Sequence, residues 1–276
     1  MAWATWALFA VAAYALAGCG GGGEASAPAR IAVLSAFPAE LAAVLAHVTV
    51  DETVDVGGRN VRVGTLAGRP VVVAMTGIGL VNAAATTRAI LERFPIRGVV
   101  VSGVAGSPLR IADVAAPARW SLPDGRAFAA DPRWLRRAQR LADGADLRFE
   151  RCLAGVCPSA DPACFQPVLV VGGDGVSEDP FGGAAFPCHP GAGDIFGCDA
   201  AATTAGAVSP VIQDMETAAI AAETAARRLP FIAFRGVSDG AGDPCDLPPF
   251  PGQFYAYYRL AAANAAAVAA AFVGES

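Results

Sequence analysis

The sequence has no lysine: all 20 basic residues are arginine, set against 25 aspartates and glutamates for a net charge of −5. Charged residues make up 16% of the chain, below the roughly 25% of an ordinary domain. With acid in excess and no basic run, the composition argues against a nucleic-acid partner. Histidine is nearly absent, and His47 and His189 read as bystanders. No CxxC pair announces a zinc site, no internal repeat is visible, and only the first eighteen residues form an uninterrupted apolar run. What remains is 276 residues, 54% hydrophobic, with 31 Gly and 20 Pro, the composition of one large folded domain.

Residues 1–18 carry no charge and end in Leu16-Ala17-Gly18-Cys19, followed by four glycines and a polar stretch to Ala29. An apolar run of about 18 residues is marginal against the ~20 that span a bilayer. The segment resembles a bacterial lipoprotein signal. That resemblance implies removal of 1–18, lipidation at Cys19, a flexible linker over 19–29 and a domain over 30–276. The protein is then exported and lipid-anchored on the periplasmic side, with Gly20 favouring the outer membrane. The missing basic residue before the apolar run keeps an uncleaved anchor open.

Seven cysteines leave six once Cys19 is set aside. Their loop placement and an oxidising compartment favour up to three disulfides among Cys152, Cys157, Cys164, Cys188, Cys198 and Cys245. Cys188–Cys198, flanking a glycine-rich loop, is the first pairing to expect. The rival is zinc on Cys152, Cys157, Cys164 and His189, whose spacing suits it poorly.

From Arg30 onward, strands alternate with helices. Strands are expected at 31–34, 61–66, 70–75, 98–102, 168–171 and 231–237; helices open at Pro38, after Gly79, at Asp131-Pro132, at Met215 and at Phe254. Ala67-Gly68-Arg69 reads as a hairpin break. The alternation predicts a three-layer α/β/α domain around a central mixed, mostly parallel sheet.

Three segments together resemble the nucleoside phosphorylase and nucleosidase family, nearest its methylthioadenosine/S-adenosylhomocysteine nucleosidases. They are 31–41 (IAVLSAFPAEL), the glycine turns Thr76-Gly77-Ile78-Gly79 and Ser102-Gly103-Val104-Ala105-Gly106, and Asp214-Met215-Glu216 with Phe234-Arg235-Gly236-Val237-Ser238-Asp239. Cleaving a purine ribosidic bond puts positive charge on the ribose and negative charge on the leaving base. The site therefore needs a proton donor at the base and carboxylates at the sugar.

By this resemblance Asp239 is the general acid to the base, Glu40 orients and deprotonates water, and Arg235 helps hold that water. Glu216 and Met215 hold the ribose, and Ser238, Thr76, Gly77, Val104, Val176 and Phe250 complete the substrate site. It implies no metal or cofactor, a small-molecule nucleoside partner and a homo-oligomer. Plainer readings stand beside these: Glu40 on a solvated helix face, Arg235 paired with Asp239, and Ser238-Asp239-Gly240 as a turn.

The chain also departs from the family. Val101 and Ser35-Ala36-Phe37-Pro38 replace the phosphorylases' cations, which argues for hydrolysis. Val104 stands where a nucleosidase has serine, Asp214 replaces a glutamate, and Val176 occupies the position of an aromatic over the base, leaving Phe181, Phe186 or Phe250 to stack there. Two alternatives follow. One is a phosphorylase using Arg59, Arg62 or Arg119 as its phosphate clamp; the other is a catalytically silent nucleoside-binding lipoprotein.

Overall fold

The structure, a computed structural model, describes residue 1 and residues 28–144, 146–157, 162–178 and 212–275. The leader, Cys19, the Cys188–Cys198 pair, His189, Phe181 and Phe186 lie outside the described residues.

Strand β1 (Arg30–Ser35) and helix α1 (Pro38–Leu45) open the domain, followed by β2 (Val48–Val56), β3 (Arg59–Leu66) and β4 (Arg69–Met75). Helix α2 (Leu80–Arg93) leads into the long β5 (Ile96–Arg110), then β6 (Val114–Ala116), β7 (Arg119–Ser121), β8 (Ala127–Ala129) and α3 (Pro132–Asp143). Two short strands, β9 (Cys152–Leu153) and β10 (Ala163–Cys164), make a separate ladder. The remainder is β11 (Leu169–Val171), β12 (Asp174–Ser177), β13 (Ile212–Asp214), α4 (Thr217–Ala226), β14 (Phe231–Ala241) and α5 (Gly252–Gly274).

Twelve strands share one sheet. At its centre β4, β1, β5 and β14 run parallel, with β1 in register between β4 and β5 and β14 along the other side of β5. Antiparallel pairs surround them: β2 with β3, β3 with β4, β14 with β6, β13 with β5, and β7 with β8. The sheet is thus mixed, with a smaller parallel share than expected.

The three layers follow from strand alternation. Ala32, Leu34, Val72, Ala74, Val99 and Val101 face α2 and α4, while Ile31, Val33, Val71, Val73 and Val100 face α1, α3 and α5. Burial on both faces is what the continuous β-branched runs anticipate, each side chain contributing about 1.5–3 kcal/mol.

The structure differs from the sequence expectation in several elements. β2, β6 to β10, β12 and β13 are additional strands, β2 at the sheet edge, and β5 runs on past Ser102 to Arg110 through two glycines and a proline. Helix α4 starts at Thr217, so Met215 and Glu216 precede it. β14 continues through Ala241, so Asp239 belongs to the strand and not to a turn. The zinc reading fails as well: Cys152 pairs with Cys164 and Cys157 with Cys245, which leaves no free thiolate among the described cysteines.

Candidate active site

The parallel strands β1, β5 and β14, with the turn after β4, bring their carboxyl ends to one edge, where α/β folds hold ligands. Ser35 donates to the Ser102 carbonyl at 2.8 Å, and the Thr76 amide donates to the Ser35 carbonyl at 2.7 Å, which ties three of these ends together. The Thr76 hydroxyl is spent on the Gly77 carbonyl at 2.9 Å. Gly77 (φ +82°) and Gly79 (φ +91°) occupy the left-handed region open to glycine, and that backbone aims the Gly79 amide at Glu216.

Arg235, on β14, is fully buried and organises the centre. Its Nε donates to Asp214 Oδ2 at 2.6 Å and its Nη2 to Glu216 Oε2 at 2.9 Å. Nη1 has no hydrogen-bond partner among the described residues and lies 3.6 Å from Glu40 Oε1. Glu40, from the first turn of α1, is 2% exposed, which removes the solvated-face reading. Its carboxylate accepts the Ala36 amide at 2.6 Å and the Val104 amide at 2.7 Å. Gly103 lets these groups meet: a β-carbon there would fall 2.1 Å from Arg235 Nη1 and 2.4 Å from Glu40 Oε1.

Three buried carboxylates thus surround one guanidinium. Burial pushes Glu40 above the usual carboxylate range against the opposing pull of Arg235 and the two amides. Burial likewise lifts Glu216 to about 8, Arg235 again opposing. Burial alone would lower Arg235, but Asp214, Glu40 and Glu216 outweigh it and hold it above its ordinary value.

Asp214 is buried and bonded within the protein. It accepts the hydroxyls of Ser177 and Thr217, the Glu216 and Thr217 amides and Arg235, so its acceptor capacity goes to fixing the arginine and capping α4. Asp214, where the resemblance has a glutamate, serves the arginine and the start of α4.

Asp239 sits further along β14, half-buried, with the Ser238 hydroxyl donating to its Oδ1 at 2.7 Å. Burial raises its pKa and Ser238 pulls the other way. Arg235 is committed elsewhere, so no Arg235–Asp239 ion pair forms. A β-carbon at Gly106 would fall 2.6 Å from Asp239 Oδ2. Glu40 and Asp239 therefore each press on a glycine of β5, three residues apart, a span of about 10 Å along a strand.

Val104 and Met215 pack with Phe37, Ile78, Phe254 and Tyr258 in an apolar cluster beside the carboxylates, and Phe254 stacks on Tyr258 with centroids 5.6 Å apart. Phe250 is 60% exposed at the rim, 5.7 Å from the Phe254 ring. Val176 lies half-buried on β12, where alternation sends it to the face opposite Ser177. Phe37, Ile78, Phe254 and Tyr258 were not assigned to the site from sequence; the aromatic run at the start of α5 was the signal available for the last two. The arginines considered for a phosphate clamp are engaged elsewhere: Arg59 with the Gly57 carbonyl, Arg62 with the Asn60 carbonyl, Arg119 with Asp174.

An α/β domain carrying buried carboxylates around one arginine at its carboxyl strand edge is a ligand-binding domain with acid–base capacity. The chain belongs to the phosphorylase superfamily, whose family model matches residues 30–274. It is 42% identical to an uncharacterised protein of Mycobacterium tuberculosis over 218 residues, 73% of this chain and 85% of that one. Among solved structures it is similar to the methylthioadenosine/S-adenosylhomocysteine nucleosidase of Neisseria meningitidis in complex with methylthio-immucillin-A: TM-score 0.63, 24% identity, covering 90% of this chain and 99% of that one. It is also similar to the futalosine hydrolase of Helicobacter pylori: TM-score 0.65, 19% identity, covering 90% and 98%.

Proposed function

We propose that the protein is a purine nucleoside N-ribosyl hydrolase of the adenosine or methylthioadenosine type. The observation carrying this reading is a pair of acids raised by burial at one strand edge: Glu40 beside Nη1 of Arg235, and Asp239 further along β14. A proton acceptor for water and a proton donor for the base are the two groups that ribosidic cleavage requires. Glu216 faces the ribose. Asp239, held toward its protonated form by burial, donates to the departing base. Glu40 accepts the proton of an attacking water, and the unpartnered Nη1 of Arg235 supplies that water with a donor. Glu40 and Asp239 thus divide the work as the two carboxyl groups of a glycosidase do, one at the water and one at the leaving group. The apolar cluster of Phe37, Ile78, Met215, Phe254 and Tyr258 covers the sugar's flank.

The same reading carries export, a lipid tether at Cys19 and a homo-oligomer. A groove of about 560 Å³ between α2, α4 and the β7–β8 hairpin, lined by Leu80, Val81, Ala84, Leu122 and Ala219, begins one residue past Gly79 and offers a second copy a seat near the site.

Product analysis tests the proposal: the full chain, oxidised, with adenosine, inosine or methylthioadenosine, each with and without phosphate. Free base and free ribose without phosphate are expected. Asp239→Asn should lower kcat by about 100- to 10,000-fold. Ribose 1-phosphate formed only with phosphate would make the protein a phosphorylase. Val104 beside Glu40 favours a second reading, a silent binder, which wins if nucleosides bind and nothing is released.

A further inference from the structure

The molecule is acidic overall, yet arginines gather at the end opposite the site, with Asp143 and Glu275 beside them. β1, β4 and β5 run parallel, so Arg30, Arg69 and Arg97 gather at the ends where those strands begin, about 20 Å from the carboxyl edge. Helix α3 packs across the same end, since a β-carbon at Gly98 would fall 2.4 Å from the Trp134 ring. Its Trp134, Ala138 and Leu141 are buried, while Arg133, Arg136 and Arg140 are exposed at helical spacing. Arg137, over the Phe272 ring at 5.1 Å, links the two groups: Arg140, Arg97 and Arg69 all act on its charge, as does Glu275.

None of Arg30, Arg69, Arg97, Arg133, Arg136 and Arg140 forms an ion pair among the described residues. Like charges at i, i+3 and i, i+4 destabilise a helix, so folding does not explain the stripe, whereas an external anion would. The chain enters the domain at this same end, where the Arg30 amide donates to the Pro95 carbonyl at 2.9 Å. The uncharged apolar run of residues 1–18 precedes that point in sequence.

We infer that this arginine face seats on an anionic phospholipid surface and directs the candidate active site away from the bilayer. The choice of lipid over other polyanions rests on the membrane tether proposed above; the face itself rests on neither that tether nor the hydrolase reading. Arginine suits the partner, because its guanidinium forks onto phosphate oxygens and stays charged.

The test uses the full chain with vesicles of phosphatidylcholine alone or with about a third phosphatidylglycerol. Arginines are labelled by phenylglyoxal and read individually by mass spectrometry. Labelling of Arg133, Arg136 and Arg140 should slow about fivefold on the anionic vesicles at low salt and recover by about 0.5 M salt, with Arg59 and Arg126 unchanged. The variant R133E/R136E/R140E should keep the parent melting temperature and lose the dependence on vesicle charge. Equal labelling on the two vesicle types overturns the inference. So does protection of these arginines by duplex DNA where anionic vesicles give none. Sedimentation with neutral vesicles reads the tether by itself, so a missing tether and an inert face are distinguishable.

Discussion

At the scale of single residues, the site depends on an atom that is missing. Gly103→Ala would place a methyl 2.1 Å from Arg235 Nη1 and 2.4 Å from Glu40 Oε1, both on buried side chains anchored by other bonds. We expect it to abolish turnover while Ala127→Ser, on the exposed face of β8, leaves it intact, as measured by base release. Glu216→Gln isolates a charge effect. The folded protein keeps the Glu216 proton up to about pH 8, whereas the unfolded chain releases it near the ordinary carboxylate value. Between those values the folded state binds more protons, so this group's contribution to stability falls as pH rises. Melting curves from pH 5 to 9 should show the Gln variant gaining on the parent with pH; a constant offset would show that Glu216 is ionised throughout. The buried partnership of Glu40, Asp214, Glu216 and Arg235 was not legible in sequence, because these residues are far apart along the chain and nothing local says they share one guanidinium. The resemblance pointed to three of them for other reasons, and Asp214 turned out to serve the arginine.

At the scale of elements, what could be read depended on how local the signal was. Asp131-Pro132 announced α3, and Asp131 does accept the Arg133 and Trp134 amides at 2.8 and 3.0 Å. Asp131→Ala should lower stability by about 1 kcal/mol in a denaturant titration and leave activity alone. β2 was not legible, since Val48–Val56 alternates valine with acids, is exposed over most of its length and slips register after Val50. The second half of β5 was hidden by Gly103, Gly106 and Pro108, residues that ordinarily weaken or end a strand. Here they admit Glu40, Arg235 and Asp239 to the backbone, so the feature that concealed the strand is the one that builds the site. Phe254 and Tyr258 fall four apart on α5, a spacing that says they share a helix face but not what the face meets; the tertiary structure packs them with Met215 and Val104.

At the scale of the whole molecule, Cys157–Cys245 joins segments 88 residues apart and pins the loop that follows Asp239. In chain-entropy terms a closure of that length stabilises by about 4–5 kcal/mol, so reduction should lower the melting temperature by roughly 10 °C. The Cys157→Ser/Cys245→Ser variant should show most of that loss without reductant, the remainder belonging to Cys152–Cys164. An unchanged melting temperature would mean that the loop is held by Asp243 instead, which already accepts the Cys245 and Leu247 amides. Composition alone missed the charge asymmetry of the fold, because a net charge of −5 averages an arginine-rich end with an acidic remainder. The paired glycines of β5 carry one more consequence. Glu40 on α1 and Asp239 on β14 are both seated against one central strand, so each acid is held by the sheet and not by a loop. Change in the surrounding loops can then alter which molecule enters while both acids keep their seats.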